Sequence, residues 1–109
     1  MSSKEISNIR EDFSKSKIDY SSVPESPFTL FENWFEMALL DDKENAICFV
    51  LSTITKINKP SSRVVLLRGL NEKGFTFYTN YKSDKAKDID HNNYVSANFF
   101  WNLLCIDSL

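Results

Sequence analysis

Three short segments rich in β-branched and aromatic residues constrain the fold of this chain more than any other feature. Turn formers lie between them: Asn58 and Pro60 follow the first segment, and "NEKG" separates the second from the third. Gly74 ends that four-residue loop and can take the positive φ that hairpin loops often need. The sequence therefore predicts a mainly antiparallel β structure with strands at 46–54, 63–70 and 75–80.

Two helices and a fourth strand are predicted around these strands. Ser26 and Pro27 suit the start of a helix over 27–40, because apolar residues recur there every three or four positions. A short helix is expected after Ser83, which is a good N-cap residue, and a strand follows at 94–101. Four antiparallel strands with one apolar face can pack under a helix.

The chain divides into an arm and one domain. Residues 1–25 are rich in Ser, Lys, Asp and Glu and form a flexible arm, with a short helix near 6–13. Residues 26–109 form the domain, because a 109-residue chain with 42% apolar and 14% aromatic residues is the size of a single globular unit.

Charge and cysteine content exclude several classes of protein. A formal net charge of −2 provides no overall positive field that would attract nucleic acid or anionic lipid. The apolar runs, such as 46–51, are much shorter than a membrane span. Cys48 and Cys105 are too few for a disulfide framework, and no basic, apolar leader opens the chain, so we expect a cytoplasmic protein.

Basic and hydroxyl side chains gather in and after the predicted hairpin. Guanidinium groups, ammonium groups and the free N–H groups of a helix start are the components of a phosphate site. The alternative interpretation is that the lysines only form a solvated helix face. In a regular strand Arg63 and Arg68 would point to opposite faces, so one phosphate could not easily take both. The cluster contains Arg63, Arg68, Thr79, Lys82, Ser83, Lys85 and Lys87.

The stretch "RVVLLRGLNEKGFTFYTNYKSDKAKDIDHNNYVSANFFW" resembles the pyridoxamine 5′-phosphate oxidase family, as do the helix "SVPESPFTLFENWFEMA" and the arm segment "IREDFSK". The resemblance implies an FMN-binding split barrel, here about four strands of it, and a homodimer with FMN at the subunit interface. It also implies oxidation of pyridoxine or pyridoxamine 5′-phosphate to pyridoxal 5′-phosphate. Hydride would pass from the substrate C4′ to FMN, and molecular oxygen would then yield hydrogen peroxide.

The resemblance also implies site residues, none of which is a catalytic side chain or a metal ligand. Arg10, in the arm, and Arg68 would approach the substrate. Lys85 would bind the FMN phosphate, and the "RVVLLR" strand would line the flavin. The implied FMN-binding residues are Arg63, Val64, Val65, Leu66, Leu67, Arg68, Tyr78, Thr79, Ser83 and Lys85.

Three departures from the family pattern affect this expectation. Asp84 replaces an arginine that contacts the FMN phosphate, which should weaken FMN binding unless the carboxylate turns to solvent. Phe13 replaces a tyrosine of the arm. The end, "LLCIDSL", lacks the Arg-Gln pair of the family, and we interpret the chain as the amino-terminal, truncated half of an oxidase.

The sequence is also compatible with two functions other than that of an oxidase, which it favours to different degrees. A non-catalytic flavin-binding or self-associating fragment would keep the hairpin without the substrate chemistry. An oligonucleotide-binding barrel is disfavoured, because no basic aromatic face is evident. His91 is interpreted as a solvated loop residue and Cys48 as a core thiol, while Phe31, Trp34 and Phe35 are expected in the core.

Overall fold

The computed structural model describes residues 1–9 and 20–101. The described part contains two antiparallel sheets: β2, β1 and β5 form a three-stranded sheet with β1 at its centre, and β3 pairs with β4 as a hairpin. The elements are α1 (Ser3–Ser7), α2 (Pro27–Asp41), α3 (Lys43–Ala46), β1 (Cys48–Ile54), β2 (Pro60–Leu66), β3 (Gly69–Asn71), β4 (Gly74–Thr76), α4 (Asp84–His91) and β5 (Ser96–Asn98).

The core lies on one face of the larger sheet. Alternate residues of β1 point to opposite faces, and the buried set is Phe49, Leu51 and Thr53. Phe49 and Leu51 form the core cluster with Leu67. Partly buried side chains pack around the cluster: Phe35, Ile47, Val65, Phe77, Ile89 and Phe99. Helices α2 and α4 and the segment after β4 therefore contribute side chains to a single core.

The predicted strand at 63–70 is confirmed over 63–66 but is not continuous to 70, because the chain crosses between the two sheets at Leu67 and Arg68. The Leu67 N–H donates to the carbonyl of Ile47, while the next N–H, that of Arg68, donates to the carbonyl of Thr76. Leu67 also turns its side chain into the core. The backbone thus leaves the larger sheet at Leu66 and joins the hairpin at Gly69, a break that a uniform apolar run does not reveal.

Two other strands are shorter than predicted. β4 ends at Thr76, because the chain then turns toward α4, where the Ser83 N–H donates to the Asn80 carbonyl at 2.9 Å. The strand expected at 94–101 is confirmed only over Ser96–Asn98, and its described pairing is to β1.

Turns and helix starts agree better with the prediction. Asn58 has a φ of 61° and Gly74 a φ of 137°, both at turns between strands. The hairpin turn is tighter than expected, since Asn71 pairs with Gly74 and only two residues separate them. Ser26 and Ser83 are the N-cap residues of α2 and α4, although the Ser26 hydroxyl makes no capping hydrogen bond.

Aromatic rings join α2 to the end of the described chain. Phe31 lies 5.0 Å from Phe99 in an edge-to-face arrangement, and Phe35 stacks on Trp101 at 5.8 Å between centroids. Trp101 Nε1–H donates to the carbonyl of Ala46 at 3.0 Å. Phe35 packs against the core cluster as expected, while Phe31 and Trp34 are half-buried and are not part of that cluster.

The predicted arm stays a prediction. Helix α1 occupies Ser3–Ser7, and residues 10–13 of the helix expected near 6–13 lie outside the described residues. Across residues 1–9 and 20–101, the helices are too short or too polar to cross a lipid bilayer.

Candidate functional site

Helix α4 begins where the polar segment after the hairpin ends. The Ser83 hydroxyl accepts a hydrogen bond from the Ala86 N–H at 3.3 Å and so caps the first turn. The Thr79 and Ser83 hydroxyls lie 3.0 Å apart, within hydrogen-bonding distance. The segment that follows β4 is therefore tied to the positive end of the α4 dipole.

Arg63 reaches from β2 toward the same helix. Its Nη1 donates to the carbonyl of Leu51 at 3.2 Å and to Thr53 Oγ1 at 2.8 Å, while Nη2 donates to Ser61 Oγ at 2.8 Å. The guanidinium also forms an ion pair with Asp88 of α4, with Nη2 3.7 Å from Oδ2. Arg63 is half-buried, so the sheet and the helix together fix its position.

Thr53 and Asp88 complete this polar cluster and were not identified from the sequence. The Thr53 hydroxyl donates to Asp88 Oδ2 at 2.8 Å. Only 1% of Thr53 and 8% of Asp88 is exposed to solvent. The period of two that buries Phe49 and Leu51 also buries Thr53, and a polar residue at such a position requires a partner. That signal was present in the sequence, but it did not indicate which residue would be the partner.

Lys85 and Asp84 occupy the first turn of α4. Lys85 is half-buried, and it lies three residues before Asp88, so both lie on the same side of the helix. The axial separation of those two residues is about 4.5 Å. Asp84 is exposed, which places its carboxylate in solvent at a helix end that favours negative charge.

The remaining predicted residues are not gathered at this cluster. Arg68 is exposed beyond the end of β2, so the expected opposite orientation of Arg63 and Arg68 within one strand does not apply. Tyr78 is exposed, and Val65 is half-buried against the core. Leu67 has its side chain in the core, which leaves only its backbone for contact with a ligand. Arg10 lies outside the described residues, as do Phe13 and Cys105.

Val64 and Leu66 point to the opposite face of the sheet, and Val64 lines a separate cavity of about 410 Å³. Val64 is the one predicted site residue that lines this cavity. Apolar side chains form most of its wall, and two carboxylates, Asp41 and Asp42, stand at α2 and α3. Cys48 also lines it and does not belong to the core cluster, in contrast to the expected core thiol. This cavity does not contain the donors of the α4 cluster.

The donors at α4 fit a phosphate monoester. A guanidinium, an ammonium, the one hydroxyl hydrogen that the Thr79–Ser83 pair leaves unused and a helix N-terminus provide positive charge and hydrogen-bond donors. Hydrogen bonds to described residues use three N–H groups of Arg63 and leave the Nε–H and one Nη2–H without an acceptor. In the described part of the chain Lys85 has no ion-pair partner. The residues present therefore fit the phosphate end of FMN.

Comparison with known proteins identifies relatives of the chain. A family model described as "Pyridoxamine 5'-phosphate oxidase" matches residues 36–108. The pyridoxine/pyridoxamine 5′-phosphate oxidase 2 of Hydrogenovibrio crunogenus is 40% identical over 96 residues, which cover 88% of this chain and 45% of that protein. The oxidase of Psychrobacter cryohalolentis is 41% identical over 102 residues, covering 94% and 47% respectively. The chain thus spans a little less than half the length of these relatives.

Solved structures agree on the fold. PhzG from Burkholderia lata 383, crystallised with tetrahydrophenazine-1-carboxylic acid, has a TM-score of 0.71 and 25% identity, covering 79% of this chain and 43% of PhzG. A pyridoxamine 5′-phosphate oxidase-related, FMN-binding protein from Nostoc punctiforme has a TM-score of 0.60 and 20% identity, covering 73% and 42%. The fold class implied by the resemblance, part of an FMN-binding split barrel, is confirmed. With the family match over 36–108, these findings show that the chain belongs to the pyridoxamine 5′-phosphate oxidase family.

Proposed function

We propose that this chain forms the FMN phosphate-binding part of an oxidase that converts pyridoxine or pyridoxamine 5′-phosphate to pyridoxal 5′-phosphate. The observation that carries the proposal is that helix α4 has the Thr79–Ser83 hydroxyl pair and Lys85 at its first turn and Arg63 against Asp88 further along. The names of the relatives from Hydrogenovibrio crunogenus and Psychrobacter cryohalolentis support the choice of substrate.

Each group would make a different contribution to FMN binding. Arg63 would donate from its two unused N–H groups, and the positive end of α4 would attract the phosphate dianion. Lys85, which lies on the same side of α4 as Asp88, would add a positive point charge. Bound FMN would supply the hydride acceptor, and the chain's own task would be to hold and orient it.

We also propose how the substrate is bound, which oxidant is used and how the subunits assemble. Arg68 is exposed and could contact the substrate phosphate, together with Arg10 of the arm. Oxidation of pyridoxine 5′-phosphate removes two electrons and two protons, which molecular oxygen would take up as hydrogen peroxide. We also propose a cytoplasmic homodimer, because the resemblance implies FMN at the interface between two subunits.

A second candidate function is flavin binding without turnover. The segment "LLCIDSL", which lacks the Arg-Gln pair of the family, favours it, and Asp84 stands at the α4 N-terminus where the family pattern has an arginine. The exposure of Asp84 limits the repulsion, since a solvated charge interacts weakly with a neighbouring phosphate.

Titration of the purified chain with FMN and with riboflavin tests the binding proposal. We expect FMN fluorescence to be quenched and FMN to bind at least 10-fold more tightly, because riboflavin lacks the phosphate that the α4 cluster would hold. Equal affinities, or no quenching with either flavin, would refute the phosphate site.

Peroxide release then separates the two candidate functions. Adding pyridoxine 5′-phosphate to the FMN-loaded chain under air should produce hydrogen peroxide and pyridoxal 5′-phosphate in equal amounts if the chain is a competent oxidase. Pyridoxine without its phosphate is the matched control. Tight FMN binding with no peroxide from either compound would support flavin binding without turnover.

A further inference from the structure

We propose that Thr53 and Asp88 are positioning residues that hold the Arg63 guanidinium in the orientation needed for phosphate binding. This inference rests on the proposed function, in which Arg63 donates to FMN. Neither residue belongs to the set that the resemblance implies, and the inference comes from their contacts alone.

The hydrogen bonds in this cluster run in a defined direction. A guanidinium can only donate, so Thr53 Oγ1 is the acceptor of the 2.8 Å contact from Arg63 Nη1. The single hydroxyl hydrogen of Thr53 is then free to go to Asp88 Oδ2, also at 2.8 Å. Thr53 therefore links an arginine of the sheet to a carboxylate of the helix, and each partner fixes the orientation of the next.

Burial makes this link hard to replace. Thr53 is 1% exposed and Asp88 8% exposed, so water cannot readily substitute for a lost partner. A carboxylate that is buried to this degree needs compensating charge or hydrogen bonds. Arg63 supplies the charge and Thr53 supplies the hydrogen bond.

The separation between Arg63 and Asp88 explains why the hydroxyl matters for binding. At 3.7 Å the two groups form an ion pair that is too long for a direct hydrogen bond. A direct two-point contact would occupy both of the N–H groups that Arg63 leaves unused. Thr53 holds Nη1 through its own hydroxyl, and the guanidinium stays available to an external anion.

Replacing Thr53 with valine tests the link while conserving the shape of the side chain. In Thr53→Val the Arg63 guanidinium loses one of the two acceptors at Nη1 and can turn toward Asp88, so FMN binding should weaken. We expect the ratio of the riboflavin dissociation constant to the FMN dissociation constant to fall about 10-fold. Thr53→Ser keeps the hydroxyl and should restore the ratio to within about 3-fold of the original.

This ratio distinguishes positioning from general destabilisation. A loss of stability alone would weaken the binding of both flavins and leave the ratio unchanged. A folded Thr53→Val protein, judged by near-ultraviolet circular dichroism, that keeps the original ratio would overturn the proposal. If the original protein shows no preference for FMN over riboflavin, the proposed function and the positioning role for FMN both fail.

Nuclear magnetic resonance of the arginine side chains tests the positioning without any flavin. Arg63 can be assigned by the signals that disappear in Arg63→Lys. Hydrogen bonds on both Nη atoms should restrict rotation of the guanidinium and give separate Nη–H signals in the original protein. Thr53→Val removes one of these three hydrogen bonds, so we expect faster rotation and broader Nη–H signals there, whereas Thr53→Ser should keep the original line widths. Merged signals in the original protein would refute the positioning role even if FMN is bound tightly.

Discussion

Successive residues of β1 and β2 alternate between the two faces of this strand pair, and the two faces differ in their exposure and in what borders them. On the core face Leu51 is 1% exposed and opposes Arg63 across the strands. On the opposite face Val64 is 67% exposed and opposes Val50. The core face is covered by side chains of α2, α4 and the segment after β4, whereas Val50 and Val64 of the opposite face line the 410 Å³ cavity.

The core face itself changes from apolar to polar along β1 and β2. Phe49 opposes Val65 in the apolar core, and two residues further along β1, Leu51 opposes Arg63. Thr53 follows and meets Asp88 of α4. One end of the face therefore stabilises the fold, and the other end presents a fixed guanidinium. A rigid sheet is a suitable support for a binding group because its side chains move little.

Leu51→Ala should have the largest effect on stability. The residue lies in the core cluster, and removing its side chain there should reduce the free energy of unfolding by about 2 to 5 kcal/mol. Val50→Ala, on the other face of the same strand, should cost less than about 1 kcal/mol. Chemical denaturation of both variants measures the difference. Equal losses would mean that the two faces are equally buried in solution.

Arg63→Lys tests the polar end of the core face. Lysine keeps the charge beside Asp88 but lacks the planar fork, so FMN affinity should fall about 10- to 30-fold while the fold is retained. Arg68→Lys is the matched control, because Arg68 is exposed beyond the strand and the family pattern has lysine there. FMN titration of the two variants gives the result. A larger loss in Arg68→Lys would move the phosphate site away from α4.

The sequence predicted the elements of this fold better than the contacts between them. Periodicity and caps predicted α2 and α4, and the family resemblance implied that Arg63, Thr79 and Lys85 bind FMN. The break at Leu67 was missed because it depends on a hydrogen bond to Ile47, which is distant in sequence. Asp88 was missed for the same reason: a charged residue in a polar helix looks solvated until its partner, Thr53, is known.

Asp84→Arg tests the charge at the start of α4. The change restores the positive residue of the family pattern and should tighten FMN about 5-fold, because the exposed side chain interacts through solvent. Asp90→Arg provides the same change of charge at an exposed position about 9 Å further along the helix and should change affinity less than about 2-fold. FMN titration at low and high salt should show the gain shrinking as salt rises. Equal gains in both variants would indicate a general charge effect and no defined site.

We expect the smallest effect from Val64→Thr, which compares the two faces of the sheet at adjacent positions of β2. Threonine keeps the β-branched shape and adds a hydroxyl, and at an exposed position water can bind that hydroxyl, so the free energy of unfolding should change by less than about 0.5 kcal/mol. Val65→Thr is the matched control, because Val65 packs against the core and its new hydroxyl should cost about 1 to 3 kcal/mol. Thermal unfolding at two protein concentrations measures both. If Val64→Thr costs as much as Val65→Thr, and if the melting temperature of the original protein rises with concentration, a second copy of the chain covers the face that Val64 occupies.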